Sequence, residues 1–236
     1  MTKAGPWQTG PSQRQCASLL HPTIIRKGNA VPDFSFELSK QGLIAGVDEA
    51  GRGPWAGPVV AGAAILNRET LSQELIDGLD DSKKLKAQKR EALLLRLEDC
   101  DAVLGIGIAS VAEIDELNIL QATMLAMRRA VVDLGMVPDY ALIDGNRVPD
   151  GLPCAAEAVV KGDGRSLSIA AASIVAKVSR DRMMAELDHK YPGYGWAANA
   201  GYGTKAHQEG LALLGITPEH RKTFAPIRKM LSLEDS

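Results

Sequence analysis

Five short, largely apolar runs punctuate the chain, some of them bounded by Gly, Pro or acidic residues: residues 43–48, 59–66, 103–109, 140–143 and 156–160. Runs of that length, rich in Val, Ile, Leu and Ala, predict strands buried in a sheet. Three longer segments carry their apolar residues at helical spacing instead. Residues 87–97 place Leu93, Leu94 and Leu97 on one side. Residues 111–134 place Ile114, Leu117, Leu120, Met124, Met127 and Val131 in a single stripe, which reads as ordinary core. Residues 168–190 open on Ala170-Ala171-Ala172, small enough for a helix to lie close on a sheet.

Three early strands followed by helices alternating with strands predict an α/β fold, a sandwich of helices around a mixed sheet. Residues 1 to about 40 show no sustained periodicity and contain Pro6, Pro11, Pro22 and Pro32. They read as an irregular, partly disordered extension, with 18–25 a candidate for docking on the domain. Residues 41–236 then form one catalytic-sized domain with a helical C-terminal part.

Composition narrows the class. The 236 residues are 45% hydrophobic, enough for a core, but only 4% aromatic, so that core is aliphatic. The net charge of −2 is unevenly spread. Residues 161–236 carry 11 Lys and Arg against 8 Asp and Glu, so a local basic face can meet a polyanion although the total is near neutral. Cys16, Cys100 and Cys154 are odd in number and widely spaced, which fits free thiols and a reducing compartment. No apolar run reaches membrane-spanning length, and the N-terminus lacks the apolar core of a secretory signal. The expected location is the cytoplasm.

The chemistry concentrates where strands end. Asp48-Glu49, Asp144 and Asp163 each follow one of the predicted strands. Ligands of open α/β sheets collect beyond the carboxyl ends of strands. Carboxylates gathered there repel one another unless cations neutralise them, and an all-oxygen set without a His/Cys cluster suits Mg²⁺ or Mn²⁺. Two such ions serve in-line phosphoryl displacement. Taken singly, Asp144-Gly145-Asn146 and Asp163 also fit turn chemistry. Adjacent strand residues face opposite ways, so Asp48 and Glu49 converge only if the strand ends, twists or bulges there. The loop that follows, Gly51-Arg52-Gly53-Pro54-Trp55-Ala56-Gly57-Pro58, lets backbone amides approach an anion or a sugar.

The chain resembles the bacterial type 2 ribonucleases H (ribonuclease HII). The resemblance rests on Val47-Asp48-Glu49-Ala50-Gly51-Arg52-Gly53-Pro54, Asp81-Ser82-Lys83-Lys84-Leu85, Ile143-Asp144-Gly145-Asn146, Lys161-Gly162-Asp163, the run from Ala170 to Val178, and Gly201-Tyr202-Gly203-Thr204. It implies a ribonuclease H-like fold and hydrolysis of the RNA strand of RNA–DNA hybrids. It also implies incision 5′ of single ribonucleotides in duplex DNA by two-metal-ion catalysis, giving 3′-hydroxyl and 5′-phosphate ends. Its carboxylates fall on Asp48, Glu49, Asp144 and Asp163. Gly51, Arg52 and Gly53 match the loop that reads the 2′-hydroxyl, which is what separates RNA from DNA at a single position. Tyr202 matches the residue that packs on the junction sugar; a core tyrosine is the alternative that pattern alone favours.

Lys83, Lys84, Lys177 and Ser173 are phosphate or site neighbours by the same resemblance. Each also has a plain reading: the lysine pair solvates a helix start, Lys177 pairs with an acid, and Ser173 caps backbone groups. His220-Arg221-Lys222 reads as a solvated or DNA-facing patch. Trp55 replaces a smaller residue of the pattern, and Ala200 stands where a lysine is usual. Two alternatives stand beside this reading. A type 3 enzyme carries a folded N-terminal domain and a Gly-Lys-Gly loop. A hybrid-binding protein without catalysis has no use for four acids facing phosphate. The expected partners are RNA–DNA hybrid and ribonucleotide-containing duplex, bound by a monomer.

Overall fold

The structure, a computed structural model, describes residues 31–234. The expectations for residues 1–30, and Cys16 with them, lie outside the described residues. Five strands form one mixed sheet in the order β3-β2-β1-β4-β5: β1 (Ile44–Ala50), β2 (Val59–Ile65), β3 (Val103–Ala109), β4 (Tyr140–Asp144) and β5 (Ala155–Val159). The first three are antiparallel neighbours, while β4 and β5 run parallel to β1. All five lie within about two residues of the predicted runs.

Two helices cover the sheet. The long helix α6 (Leu167–Lys190) lies across β1 and β2 on one face, and α5 (Ile119–Asp133) covers the other. Close approach is possible because glycines sit under them. A Cβ on Gly46 would stand 2.1 Å from the Ser168 carbonyl carbon of α6, and one on Gly107 2.0 Å from the Ala126 oxygen of α5. Apolar alternation divides the core accordingly. Ala45 and Val47 pack with Met127, Ala130 and Val131 of α5, while Ala170, Ile174 and Val178 of α6 meet Leu93, Leu94 and Leu97 of α3 (Ala87–Glu98).

Two expectations need correction. The single helix predicted over 111–134 is two, α4 (Val111–Leu117) and α5, broken at Asn118. Asn118 adopts φ 72°, and its side-chain oxygen accepts from the Leu120 and Gln121 amides, so it starts the second helix instead of continuing the first. Leu117 is left exposed as a result. The folded part also begins earlier than residue 41. A one-turn helix α1 (Ser35–Leu38), too short to show periodicity, brings Glu37 to the start of α6. Its carboxylate accepts from the Ser166 hydroxyl at 2.7 Å and the Ser168 amide at 2.9 Å, where the helix dipole favours negative charge.

The C-terminal part is helical, as expected: α7 (Trp196–Asn199), α8 (Lys205–Leu214) and α9 (Ala225–Glu234). It surrounds a small cluster of Ala56, Met184, Tyr194, Trp196, Leu211 and Ile227, which joins it to the 51–58 loop. Among the described residues no helix is long and apolar enough to cross a membrane.

Candidate active site

Parallel pairing of β1 with β4 sets Val47 beside Ile143, so the next residue of each strand, Asp48 and Asp144, emerges at the same edge. β5 pairs Val159 with Asp144 and leads into a tight turn over Gly162–Gly164 that returns Asp163 to the same place. Asp144 shapes this turn itself, because its Oδ1 accepts from the Gly162 amide at 2.7 Å. Ligand atoms of Asp48, Asp144 and Asp163 lie within 4.8 Å of one another.

Asp48 and Asp163 are buried. Burial, with the charges of Glu49, Asp144 and Asp163 adding to it, pushes the Asp48 carboxyl well above its ordinary range. Burial, then Asp144 and Asp81, push Asp163 up as well. Three hard oxygen donors held together against their own repulsion fit a divalent cation, whose charge removes the conflict.

Glu49 stands apart from this triad. β1 does not end or bulge at the acids: Asp48 pairs with Gly62, Glu49 with Ala61 and Ala50 with Val60 in unbroken register. Strand alternation therefore puts Asp48 on the α6 face and Glu49 on the α5 face. The Glu49 carboxylate accepts from Arg52 at 3.2 Å. Burial raises its carboxyl although Arg52 opposes the shift.

Of the three lysines, Lys83 comes nearest the triad. A short turn, Ser82–Lys84, is fixed to α6 by the Ser173 hydroxyl, which donates to Ser82 Oγ at 2.7 Å. Ser173 is only 2% exposed, so it reaches a substrate only through the turn it anchors. That turn carries Lys83, whose Nζ lies 3.8 Å from Asp163. Burial lowers the Lys83 ammonium, but Asp48, Asp163, Asp81 and Asp144 together outweigh it and raise it. Lys84 pairs with Asp80 at 2.8 Å, and Lys177 is held by Asp181, the plain reading considered for it.

The glycine loop continues directly from β1. Tyr202 is half exposed, and its ring stands 3.3 Å from where a Gly53 Cβ would be, so the aromatic face and the loop form one surface. Trp55 braces the two. Its amide donates to the Gly201 carbonyl at 2.9 Å, and its ring lies so close to Gly203 that a Cβ there would meet it at 2.1 Å. Ala200 adopts φ 51°, and its carbonyl accepts from Arg180 at 2.9 Å.

Sequence reading missed what holds this loop. Arg221, expected in a solvated patch, is fully buried, and so is His220. Arg221 donates to the carbonyls of Gly51, Arg52, Gly57 and Pro58, and Arg180 of α6 to those of Ala56 and Pro58. For Arg180 a signal existed, because it shares an i, i+4 stripe with the buried Ala172, Ala176 and Met184. The histidines form a defined chain. Thr217 donates its amide to His220 Nδ1, and His220 Nε2 faces His207 Nε2 at 3.0 Å. The latter atom also accepts from Trp196 Nε1, while His207 Nδ1 meets the Tyr202 carbonyl at 3.0 Å. Only neutral rings satisfy every contact, with His207 protonated at Nδ1 and His220 at Nε2. Burial, then the repulsion a second protonated ring at His207 would bring, lowers His220 to about 4, and burial lowers His207 too.

The family model described as Ribonuclease HII matches residues 45–227. Ribonuclease HII of Jannaschia sp. (strain CCS1) is 58% identical over 203 residues, covering 85% of this chain and 98% of that protein. Its counterpart in Magnetococcus marinus (strain ATCC BAA-1437 / JCM 17883 / MC-1) is 59% identical over 190 residues, covering 80% of this chain and 87% of that one. Among solved structures, the ribonuclease H2 from Pyrococcus horikoshii OT3 superposes with a TM-score of 0.68 at 31% identity, covering 82% of this chain and 99% of that one. The chain belongs to the ribonuclease HII family of metal-dependent endoribonucleases.

Proposed function

We propose that this enzyme hydrolyses the RNA strand of RNA–DNA hybrids and also incises 5′ of a single ribonucleotide in duplex DNA, leaving 3′-hydroxyl and 5′-phosphate ends. The supporting observation is the adjacency of two features: the Asp48–Asp144–Asp163 triad and, one strand-end away, the loop and ring surface of Gly51, Arg52, Gly53 and Tyr202. An acid triad alone fits any phosphodiesterase. Coupled to outward-turned amides and an aromatic face, it fits one that selects a ribose.

In this reading the loop amides take the 2′-hydroxyl and its neighbouring phosphate, and Tyr202 packs on the sugar. Asp48, Asp144 and Asp163 would hold the cations, with Glu49 as the fourth carboxylate of the set. Two Mg²⁺ or Mn²⁺ ions, when bound, supply the charge that activates water and stabilises the leaving oxygen. Asp144 keeps the 162–164 turn, and with it Asp163, in register throughout. Lys83 and Lys84 meet the strand near the scissile phosphate, with Lys177 a further phosphate contact, giving a salt-dependent affinity. The enzyme acts as a monomer in the cytoplasm, through the single domain that starts before β1.

The test uses labelled duplexes, one all-DNA and one with a single internal ribonucleotide, together with a long hybrid, in Mg²⁺, Mn²⁺ or EDTA. Metal-dependent cutting 5′ of the ribonucleotide, absent from the all-DNA duplex and from Asp144→Asn, is the expected result. Failure to cut either ribonucleotide substrate with either metal would overturn the reading.

A further inference from the structure

The carbonyls of the glycine loop are occupied from beneath, and the donors are two buried guanidinium groups. Arg221 Nη2 donates to the Gly51 carbonyl at 2.6 Å and Nη1 to the Arg52 carbonyl at 3.0 Å. Each of those carbonyls shares a peptide unit with the amide of the next residue, Arg52 and Gly53 respectively. Among the described residues these two amides meet no internal acceptor. The loop therefore has a sealed inner side and an open outer side, and a single side chain holds the inner ends of both open peptides.

A hydrogen bond to a carbonyl polarises its peptide and makes the N–H at the other end a stronger donor. Donation by a charged group strengthens that effect. Among the described residues no carboxylate accepts a hydrogen bond from the Arg221 guanidinium, although the charge of nearby Asp115 acts on it. Every hydrogen bond found for Arg221 and Arg180 goes to a carbonyl. Burial, then the neighbouring Arg180, lowers Arg221 to about 9, which leaves it charged at neutral pH. A positive floor of this kind also favours an anion above the loop.

We propose that Arg221 is a positioning residue for substrate selection: by bridging the Gly51 and Arg52 carbonyls it orients and polarises the Arg52 and Gly53 amides that read the ribonucleotide. Arg180 donates farther along the loop, at Ala56 and Pro58; its side chain packs against Gly51 but donates to neither of these two peptides. The inference rests on the proposed role of the loop and adds the group that makes it work.

Arg221→Lys keeps the charge but cannot span two carbonyls with a planar fork. Its kcat/KM is compared on a single-ribonucleotide duplex and on a long hybrid, and their ratio cancels any loss of folded protein. A long hybrid offers many registers, whereas the single ribonucleotide offers one, so loosened amides penalise the second substrate more. The ratio should fall by ~10-fold or more, while the slope of log KM against log salt stays unchanged because Arg221 touches no phosphate. Arg180→Lys should leave the ratio within about twofold, since the bridged peptides remain held.

A proportional loss on both substrates overturns the proposal, as does an equal fall of the ratio in Arg180→Lys. A salt slope reduced by ~1 makes Arg221 a phosphate contact instead and also overturns it. Should Arg221→Lys not fold, amide resonances decide the matter. In the otherwise native chain carrying Asp144→Asn, the Arg52 and Gly53 amides should move downfield on binding uncut single-ribonucleotide duplex. Unmoved resonances on a saturated complex refute the donor role. If the wild type cuts no single-ribonucleotide duplex at all, the functional reading fails first, and that outcome is distinct from every variant result.

Discussion

Gly46→Ala tests how closely the sheet and the catalytic helix are joined. In β1 a Cβ at residue 46 would meet the Ser168 carbonyl carbon at 2.1 Å and the Ile169 nitrogen at 2.2 Å. Both are backbone atoms of α6, so no rotamer change relieves them. Restoring the 3.4 Å of ordinary contact separates strand from helix by ~1.3 Å, and overpacking of that kind costs about 3 kcal/mol. For a domain of this size the Tm should drop by roughly 6–12 °C. Activity should drop further than stability. β1 carries Asp48, while α6 carries Ser173 beneath the lysine turn and Arg180 beneath the loop, and a misplacement of about 1 Å costs ~100-fold in rate. Gly135→Ala is the control: it has φ +70° but no neighbour within 4 Å, so it should lose ~1 kcal/mol and no activity. Thermal unfolding by circular dichroism and single-turnover cleavage at 20 °C give both readouts. A Gly46→Ala protein within ~2 °C of wild type, or with wild-type turnover, would show that helix and strand do not meet as described.

Three further outcomes follow from the site. Asp48→Asn should raise the metal-free Tm, because a buried carboxyl held against Asp144 and Asp163 is replaced by a neutral isostere, while cleavage and the Mg²⁺-dependent rise in Tm are lost. His220 is lowered in the fold, so the unfolded chain takes up its proton first; stability is complete above pH ~6.5 and is lost as pH falls toward 4. The loss approaches ~3 kcal/mol in urea titrations and should be shallower in His220→Gln, whose amide can still donate to His207 but cannot titrate. Tyr202→Ala should change stability by less than ~1 kcal/mol, since the ring is half exposed, yet lower kcat/KM on a single-ribonucleotide duplex by about 10- to 100-fold.

The sheet was legible because each strand is a short, largely apolar run, and the burial of β1 and β2 on both faces writes that signal most plainly. The acids at those ends were legible for the same reason, since strand termini are where a parallel sheet presents ligands. Helix boundaries were less so. The stripe from Ile114 to Val131 survives a break because Asn118 redirects the chain while both helices still bury apolar residues. Side-chain periodicity records which face is buried and carries no mark of a change in axis. The parity of Asp48 and Glu49 was readable too, and the unbroken register of β1 decides it: two adjacent acids on a regular strand answer to different faces.

The residues that hold the glycine loop were hidden for a different physical reason. Arg221 and Arg180 act on carbonyl oxygens more than 100 residues away in sequence. Every residue presents a carbonyl, so their partners leave no trace in residue identity, whereas an Asp–Lys pair or an apolar stripe announces itself. His220-Arg221-Lys222 looked solvated because three polar residues in a row have no apolar face. Lys222 is exposed, but Arg221 is buried because the 51–58 loop turns its carbonyls inward and needs donors there, and a planar guanidinium can serve several at once. Outward amides imply inward carbonyls, since each peptide carries both at opposite ends. A loop that reads substrate through its backbone must therefore have buried donors behind it. In a chain with a glycine loop of this kind, an arginine or histidine in an otherwise unremarkable segment is the first place to look for them.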